Sequence, residues 1–220
     1  MSSRRLLAAV AVVVAIAVVT PVAVATADTT RTSTPGSVLT AYYDAGQWRD
    51  AVAAVVKKAK ANLKKDLSSS TARRHPAIVL DIDETSVFNA PCLEPVDWDL
   101  SGLATCAVGG EGTVTPVLSL YKYARKQGVR VVMITGRRQA LAGVTRQLLT
   151  RLGYSSGFQL VLRPASDTRN SVVPYKSAAR AAVERRGFTI LANVGDQRSD
   201  LAGGHAKRRY KLPNPAYLIT

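Results

Sequence analysis

Apolar positions follow two rhythms along the chain. Val52, Val55, Val56, Ala59 and Leu63 recur three and four residues apart, with Lys57, Lys58, Lys60 and Lys64 between them. That spacing predicts a helix over 39–67 with one apolar stripe. After the Ser/Thr stretch at 68–71, short apolar runs take over at 77–80, 129–134, 158–162 and 189–194. Each is too short for a helix and is bounded by polar residues, so each predicts a buried strand. Helices are predicted between the later strands over 117–127, 138–152 and 175–186, stopped by Gly128, Gly153 and Gly187. Strand and helix in alternation predict an α/β fold, a parallel sheet with helices on both faces.

Two segments break the rhythm. Residues 86–115 are polar, contain Gly and Pro, and carry Cys92, Trp98 and Cys106. So long an irregular stretch after the first core strand is expected to be functional or separately braced. It reads as a small cap over the strand ends. An even cysteine pair suggests a Cys92–Cys106 disulfide pinning it, with two separate thiols as the other reading. Trp98 reads as a buried cap residue, with stacking on an aromatic substrate as the alternative. At the other exception, Arg4 and Arg5 precede an almost wholly apolar run from Leu6 to Val19, a Thr20-Pro21 break and the small residues Ala25 and Ala27. Residues 1–27 therefore read as a cleaved secretory signal, with an uncleaved membrane anchor as the rival. Residues 28–37, rich in Thr, Ser and Pro, read as a flexible N-terminus, which leaves 38–220 as the folded domain.

Charge changes the picture less than it first promises. The 220-residue chain carries a net charge of +15, and cleavage after Ala27 would remove only Arg4 and Arg5. Such a balance suits nucleic acid, an anionic surface or small anionic substrates without choosing among them. The basic residues are scattered in the sequence, as in Lys57-Lys58, Arg137-Arg138 and Lys207-Arg208-Arg209. No tract interleaved with aromatics appears, so no specific nucleic-acid partner is expected.

The candidate chemistry lies just after the strands, where ligands bind in open parallel sheets. The first strand runs into Asp81, Asp83, Glu84 and Thr85. Thr135-Gly136-Arg137 follows the second, and Gly195-Asp196 the fourth, with Asp200 four residues on. Lys176 opens the helix before that last strand. Carboxylates gathered on one rim repel unless a cation joins them, and hard oxygen ligands of this kind suit Mg²⁺. His75 precedes its strand, at the wrong end of the sheet, and His205 is unclustered, so both read as structural.

The stretches "VLDIDET", "VVMITGR", "PYKSAAR", "NVGDQRSDLAGG" and "YKLPNPAYLI" resemble the acid phosphatases of the haloacid dehalogenase-like superfamily. The resembling group holds secreted bacterial acid phosphatases and plant vegetative-storage-type proteins. The likeness runs from about Leu39 to the end. It implies a Rossmann-like core and Mg²⁺-dependent hydrolysis of a small phosphomonoester through an aspartyl-phosphate. Carried onto this sequence, Asp81 is the nucleophile and Asp83 the acid and base, with its carbonyl on the metal. Thr135, Gly136 and Lys176 hold the phosphoryl group, Asp196 completes the metal site with Asp81, and Asp200 supports it directly or through water. Glu84 points away and supports the loop, while Thr85 packs behind it. Relatives often place two tyrosines soon after the first motif, where this chain reads "NAPCLEP", so substrate preference stays open. Transfer of the phosphoryl group to an alcohol, a non-catalytic storage or surface-binding role and a polyanion-binding role are the alternatives. The signal-like residues 1–27 imply export with no lasting membrane anchor after cleavage, and the sequence leaves the oligomeric state open.

Overall fold

The computed structural model describes residues 29–31, 34–68, 75–99, 112–155 and 157–219. The signal or anchor, residues 1–27, and Cys106 therefore lie outside the described residues, so neither the export reading nor the Cys92–Cys106 pairing is examined by it. Among the described residues, no helix is long and apolar enough to cross a membrane.

The helix expected over 39–67 is two helices, α1 (Gly36–Asp44) and α2 (Gln47–Ser68). Gly46 separates them at φ +74°, a left-handed turn that favours glycine. The stretch 28–37, expected to be flexible, is structured in part. Its strand β1 (Thr29–Arg31) pairs antiparallel with the C-terminal strand, and α1 already begins at Gly36.

The core sheet holds β2 (Pro76–Leu80), β5 (Arg130–Arg138), β6 (Phe158–Arg163), β7 (Thr189–Gly195) and β8 (Arg209–Lys211). Their order is β6-β5-β2-β7-β8, and every pairing is parallel. Four of these are the apolar runs of the sequence. β8 was not expected, because Arg209-Tyr210-Lys211 buries only Tyr210. β5 runs past the expected end at 134 through the Thr-Gly-Arg stretch, and its register shifts between Thr135 and Arg138.

Alternation within the strands divides the interior. Ile78, Leu80, Val131 and Met133 face α2 and α4 (Thr115–Lys126), meeting Val52, Val56, Ala59, Leu63, Val117 and Leu120. Ala77, Val79, Val132, Ile134 and Ile190 face α6 (Val173–Arg185), meeting Tyr175 and Val183. Helices thus cover both faces, as expected of largely apolar strands. Each fully buried Val or Leu contributes about 1.5–3 kcal/mol. Pro116 and Pro174 sit in the first turns of α4 and α6, where a missing N–H costs nothing. The helix expected over 138–152 is shorter, α5 (Ala142–Arg151), entered through a 3₁₀ turn at Gln139–Leu141.

Of the expected cap, residues 86–99 and 112–115 are described. β3 (Val87–Phe88) pairs antiparallel with β4 (Gly112–Thr113), and α3 (Ala90–Leu93) follows β3. Trp98 is 2% exposed and stacked on Tyr43 at 5.0 Å, so it belongs to the interior and offers no open face to a substrate. Two short elements complete the described chain, α7 (Arg198–Leu201) and β9 (Tyr217–Ile219), the partner of β1.

Candidate active site

β2 and β7 are neighbours at the point where the strand order reverses, so the loops after them open side by side. After β2, Ile82 turns its side chain into the core, and its carbonyl accepts the N–H groups of Ser86 and Val87, both at 2.8 Å. The loop is thereby wound tightly around one apolar residue, with Asp81 before it and Asp83 after it. The Asp81 N–H donates to the Val194 carbonyl of β7 at 3.0 Å. After β7, a side chain at Gly195 would collide with Asp200, so the glycine lets that carboxylate approach the backbone. Gln197 caps α7, its N–H donating to Asp200 Oδ2 at 2.8 Å.

Asp81, Asp196 and Asp200 come together, each offering a carboxylate oxygen within 4.8 Å of the others. Lys176 is buried among them. Its Nζ donates to Asp81 Oδ1 at 2.7 Å and to Asp200 Oδ1. Burial alone would depress this amine, but Asp200 and Asp81 outweigh it and hold the ammonium charged. Burial and repulsion from Asp200 push Asp81 well above the ordinary carboxylate range and Asp196 up to about 6. Three carboxylates against one ammonium leave a deficit that a divalent cation would fill, and the all-oxygen donor set fits such an ion.

Asp196 is the most firmly oriented of the three. Oδ1 accepts Thr85 Oγ1 at 2.9 Å, and Oδ2 accepts Gln197 Nε2 at 2.6 Å and Asn214 Nδ2 at 2.8 Å. Asn214 is itself held, its Oδ1 accepting the N–H groups of Ala216 and Tyr217. Thr85, expected behind the loop, thus bonds an expected metal ligand, while Gln197 and Asn214 carried no assigned role in the sequence. The available signal was the Asn of the closing "LPNPAY" stretch.

Asp83 lies apart from the triad. Arg137 grips its carboxylate through two contacts, Nε to Oδ2 at 3.0 Å and Nη2 to Oδ1 at 2.7 Å, and Asn89 Nδ2 adds a third at 3.2 Å. Burial favours the neutral acid, but the guanidinium overrides it and holds Asp83 below its usual value. A proton donor must carry a proton, so the expected acid role meets a residue kept ionised. The irregular register at Gly136 and Arg137 accompanies this inward turn of a strand-edge arginine, which the sequence did not signal.

Thr135 is fully buried, and its Oγ1 accepts the Arg137 N–H at 3.1 Å. Gly136 is half-buried beside it, and a side chain there would meet Val172 at ordinary contact distance. Glu84, 2% exposed and at φ +53°, accepts the Asn89 N–H and is pushed well up by burial, then by Asp196 and Asp83. It faces the loop interior, as expected. His75 packs edge-on against Phe188, and His205 pairs with Glu184 at 2.7 Å, both outside the site.

A family model described as HAD superfamily, subfamily IIIB (acid phosphatase), matches residues 8–220. The chain belongs to this family. It is 36% identical over 155 residues to "Acid phosphatase 1" of Solanum lycopersicum, covering 64% of this chain and 58% of that protein. It is 30% identical over 148 residues to "Vegetative storage protein 1" of Arabidopsis thaliana, covering 64% and 54%. The chain thus spans less than two thirds of these relatives. The class C acid phosphatase structure from Bacillus anthracis superposes with a TM-score of 0.64 at 18% identity, over 83% of this chain and 85% of that one. At that identity the likeness speaks for the fold, the parallel α/β sheet of this phosphatase family.

Proposed function

We propose that this chain is an exported acid phosphatase that hydrolyses small phosphomonoesters through a phosphoryl group carried on Asp81. The observation that carries this is Lys176 Nζ placed between Asp81 and Asp200 beside Asp196. Asp81 Oδ attacks phosphorus as the P–O bond to the leaving alcohol breaks. Lys176 opposes the burial and the repulsion from Asp200 that disfavour the ionised nucleophile, and neutralises charge on the transferring group. Thr135 and the Gly136 N–H hold phosphoryl oxygens at the end of β5. Asp81, the Asp83 carbonyl and Asp196 would hold Mg²⁺, which would supply electrostatic stabilisation of the phosphoryl oxygens. Asp200 supports that site directly or through water, while its oxygens also accept Lys176 Nζ and the Gln197 N–H.

Asp83 protonates the leaving oxygen, then takes a proton from the water that splits the phospho-aspartate. Its clamp by Arg137 adds a condition. Phosphoryl oxygens compete for the guanidinium, and its departure lets the carboxyl rise toward protonation beside the substrate. An acidic optimum follows.

Export rests on the signal-like residues 1–27, and a Cys92–Cys106 bond would suit that compartment. A storage role is the second reading, favoured by the relative named as a vegetative storage protein. Storage requires no buried lysine between carboxylates, which favours catalysis. The test is phosphate release from an aryl phosphate at acidic and neutral pH, with and without EDTA, beside Asp81→Asn. Metal-dependent release that vanishes in the variant supports the proposal. Release untouched by both removes it.

A further inference from the structure

The lysines that look scattered in the sequence are gathered by the fold. Lys60 of α2 reaches α4, where its Nζ bonds Ser119 Oγ at 3.4 Å and lies 5.1 Å from the Tyr123 ring centre. Lys57 and Lys64 lie one turn to either side of Lys60, while Lys122 and Lys126 flank Tyr123 on α4. Both helices lead into the starts of strands, α2 into β2 and α4 into β5, so they run parallel and bring Lys64 and Lys126 to the same end of the seam. Lys57, Lys64, Lys122 and Lys126 are all exposed.

The acids do not answer them. α4 contains none. On α2, Asp50 lies near the opposite end, and Asp66 is buried and bonded to Lys207 and Arg208. Other exposed acids among the described residues lie elsewhere, Asp44, Glu94, Asp97 and Asp99 on α1 and the cap and Glu184 on α6, where it pairs with His205. No ion pair joins a seam lysine to an acid among the described residues. Like charges a turn apart repel weakly in water, and an anion shared between them would relieve that repulsion.

We propose that the α2–α4 seam is a docking surface for a linear phosphodiester polymer, recognised by its backbone charge alone. Parallel rows of amines along a groove suit a repeating anion. The exposed α2 positions beside the lysines are Ala53, Ala54 and Ala61, which give a membrane no bulky apolar wedge. The Tyr123 ring is half-buried and covered by Lys60, so no platform for base stacking is offered. Lys64, Lys122 and Lys126 lie in the later halves of their helices, toward the starts of β2 and β5 and away from Asp81, which follows the end of β2. A docked polymer would hold the enzyme in place and leave the carboxyl rim open.

The test uses the chain beginning at residue 28, with two probes: a labelled thymidine oligonucleotide without terminal phosphates, and a poly(glycerol phosphate). Lys57→Gln, Lys64→Gln and Lys126→Gln are combined in one variant. Arg151→Gln, Arg185→Gln and Arg186→Gln, also exposed, form a control with equal charge loss. The seam variant is expected to bind both probes about tenfold or more weakly, with the log–log salt slope reduced by about 2–3. The control keeps its affinity, and both variants keep their thermal midpoint and their rate on an aryl phosphate. Equal weakening in the two variants would show a diffuse charge effect and overturn the proposal. So would binding of the oligonucleotide alone, or equal, seam-dependent binding to anionic lipid vesicles. The outcome is independent of catalysis, because neither probe is a phosphomonoester.

Discussion

Lys176 and Lys60 both project from helices packed on the central sheet, yet their surroundings are opposites. Lys176 is 6% exposed, bonded to Asp81 and Asp200, and held charged by them. Lys60 lies over a tyrosine among further lysines on a surface open to solvent. At the rim, charges are crowded in a low-dielectric setting, so each is worth a great deal and demands a partner. Along the seam water screens them, so a cluster of one sign is tolerated. Burial decides which charges can do chemistry and which can only attract.

Several experiments would break or sharpen that contrast. The largest effect is expected at Asp81, the proposed nucleophile. Asp81→Asn should lower phosphate release by at least about 10³-fold, while thermal unfolding shows a chain as stable as the parent or more so, because a crowded carboxylate is gone. Lys176→Met should strip the buried carboxylates of their cation. The metal-free variant is expected to lose about 3–5 kcal/mol in urea unfolding, and excess Mg²⁺ should restore part of it.

Asn214→Ala removes a donor to Asp196 without touching the other carboxylates of the triad. Calorimetric titration should show divalent-cation affinity about tenfold weaker. Unchanged affinity would mean that Gln197 and Thr85 suffice to orient Asp196.

Acidity offers a further handle. The Asp196 carboxyl is raised from 3.8 to about 6 by burial and by Asp200. A raised carboxyl keeps its full contribution to stability below its unfolded value and loses it as pH climbs through the folded one. Without metal, Tm should therefore fall as pH rises from about 4 to about 6. Saturating Mg²⁺ should flatten that fall, because the ion takes the place of the proton. Differential scanning calorimetry at matched ionic strength checks both. The smallest effect belongs to the seam, where Lys64→Gln with Lys126→Gln should change unfolding free energy by no more than about 0.5 kcal/mol.

Strand and helix were legible because Ile78 to Leu80, Val131 to Ile134 and Ile190 to Ala192 are apolar without interruption, as strands covered on both faces must be. The break at Gly46 and the short β8 were not, since a lone glycine and a mostly polar triplet carry little periodic signal. In the site, Asp81, Asp196, Asp200 and Lys176 were legible because each stands where a strand or helix delivers it to one rim. Arg137 was not, because its grip on Asp83 accompanies a local shift of register that leaves no mark in composition.

Local pattern alone determined the elements of this chain, their alternation and the rim on which its acids gather, since periodicity and strand ends are properties of neighbours in sequence. Tertiary structure alone decided the rest. It paired Asp83 with Arg137, hung Asn214 on Asp196 and drew lysines from two helices into one seam. Such contacts join residues far apart in the chain, and their strength depends on how far water is excluded, which only the packed molecule sets.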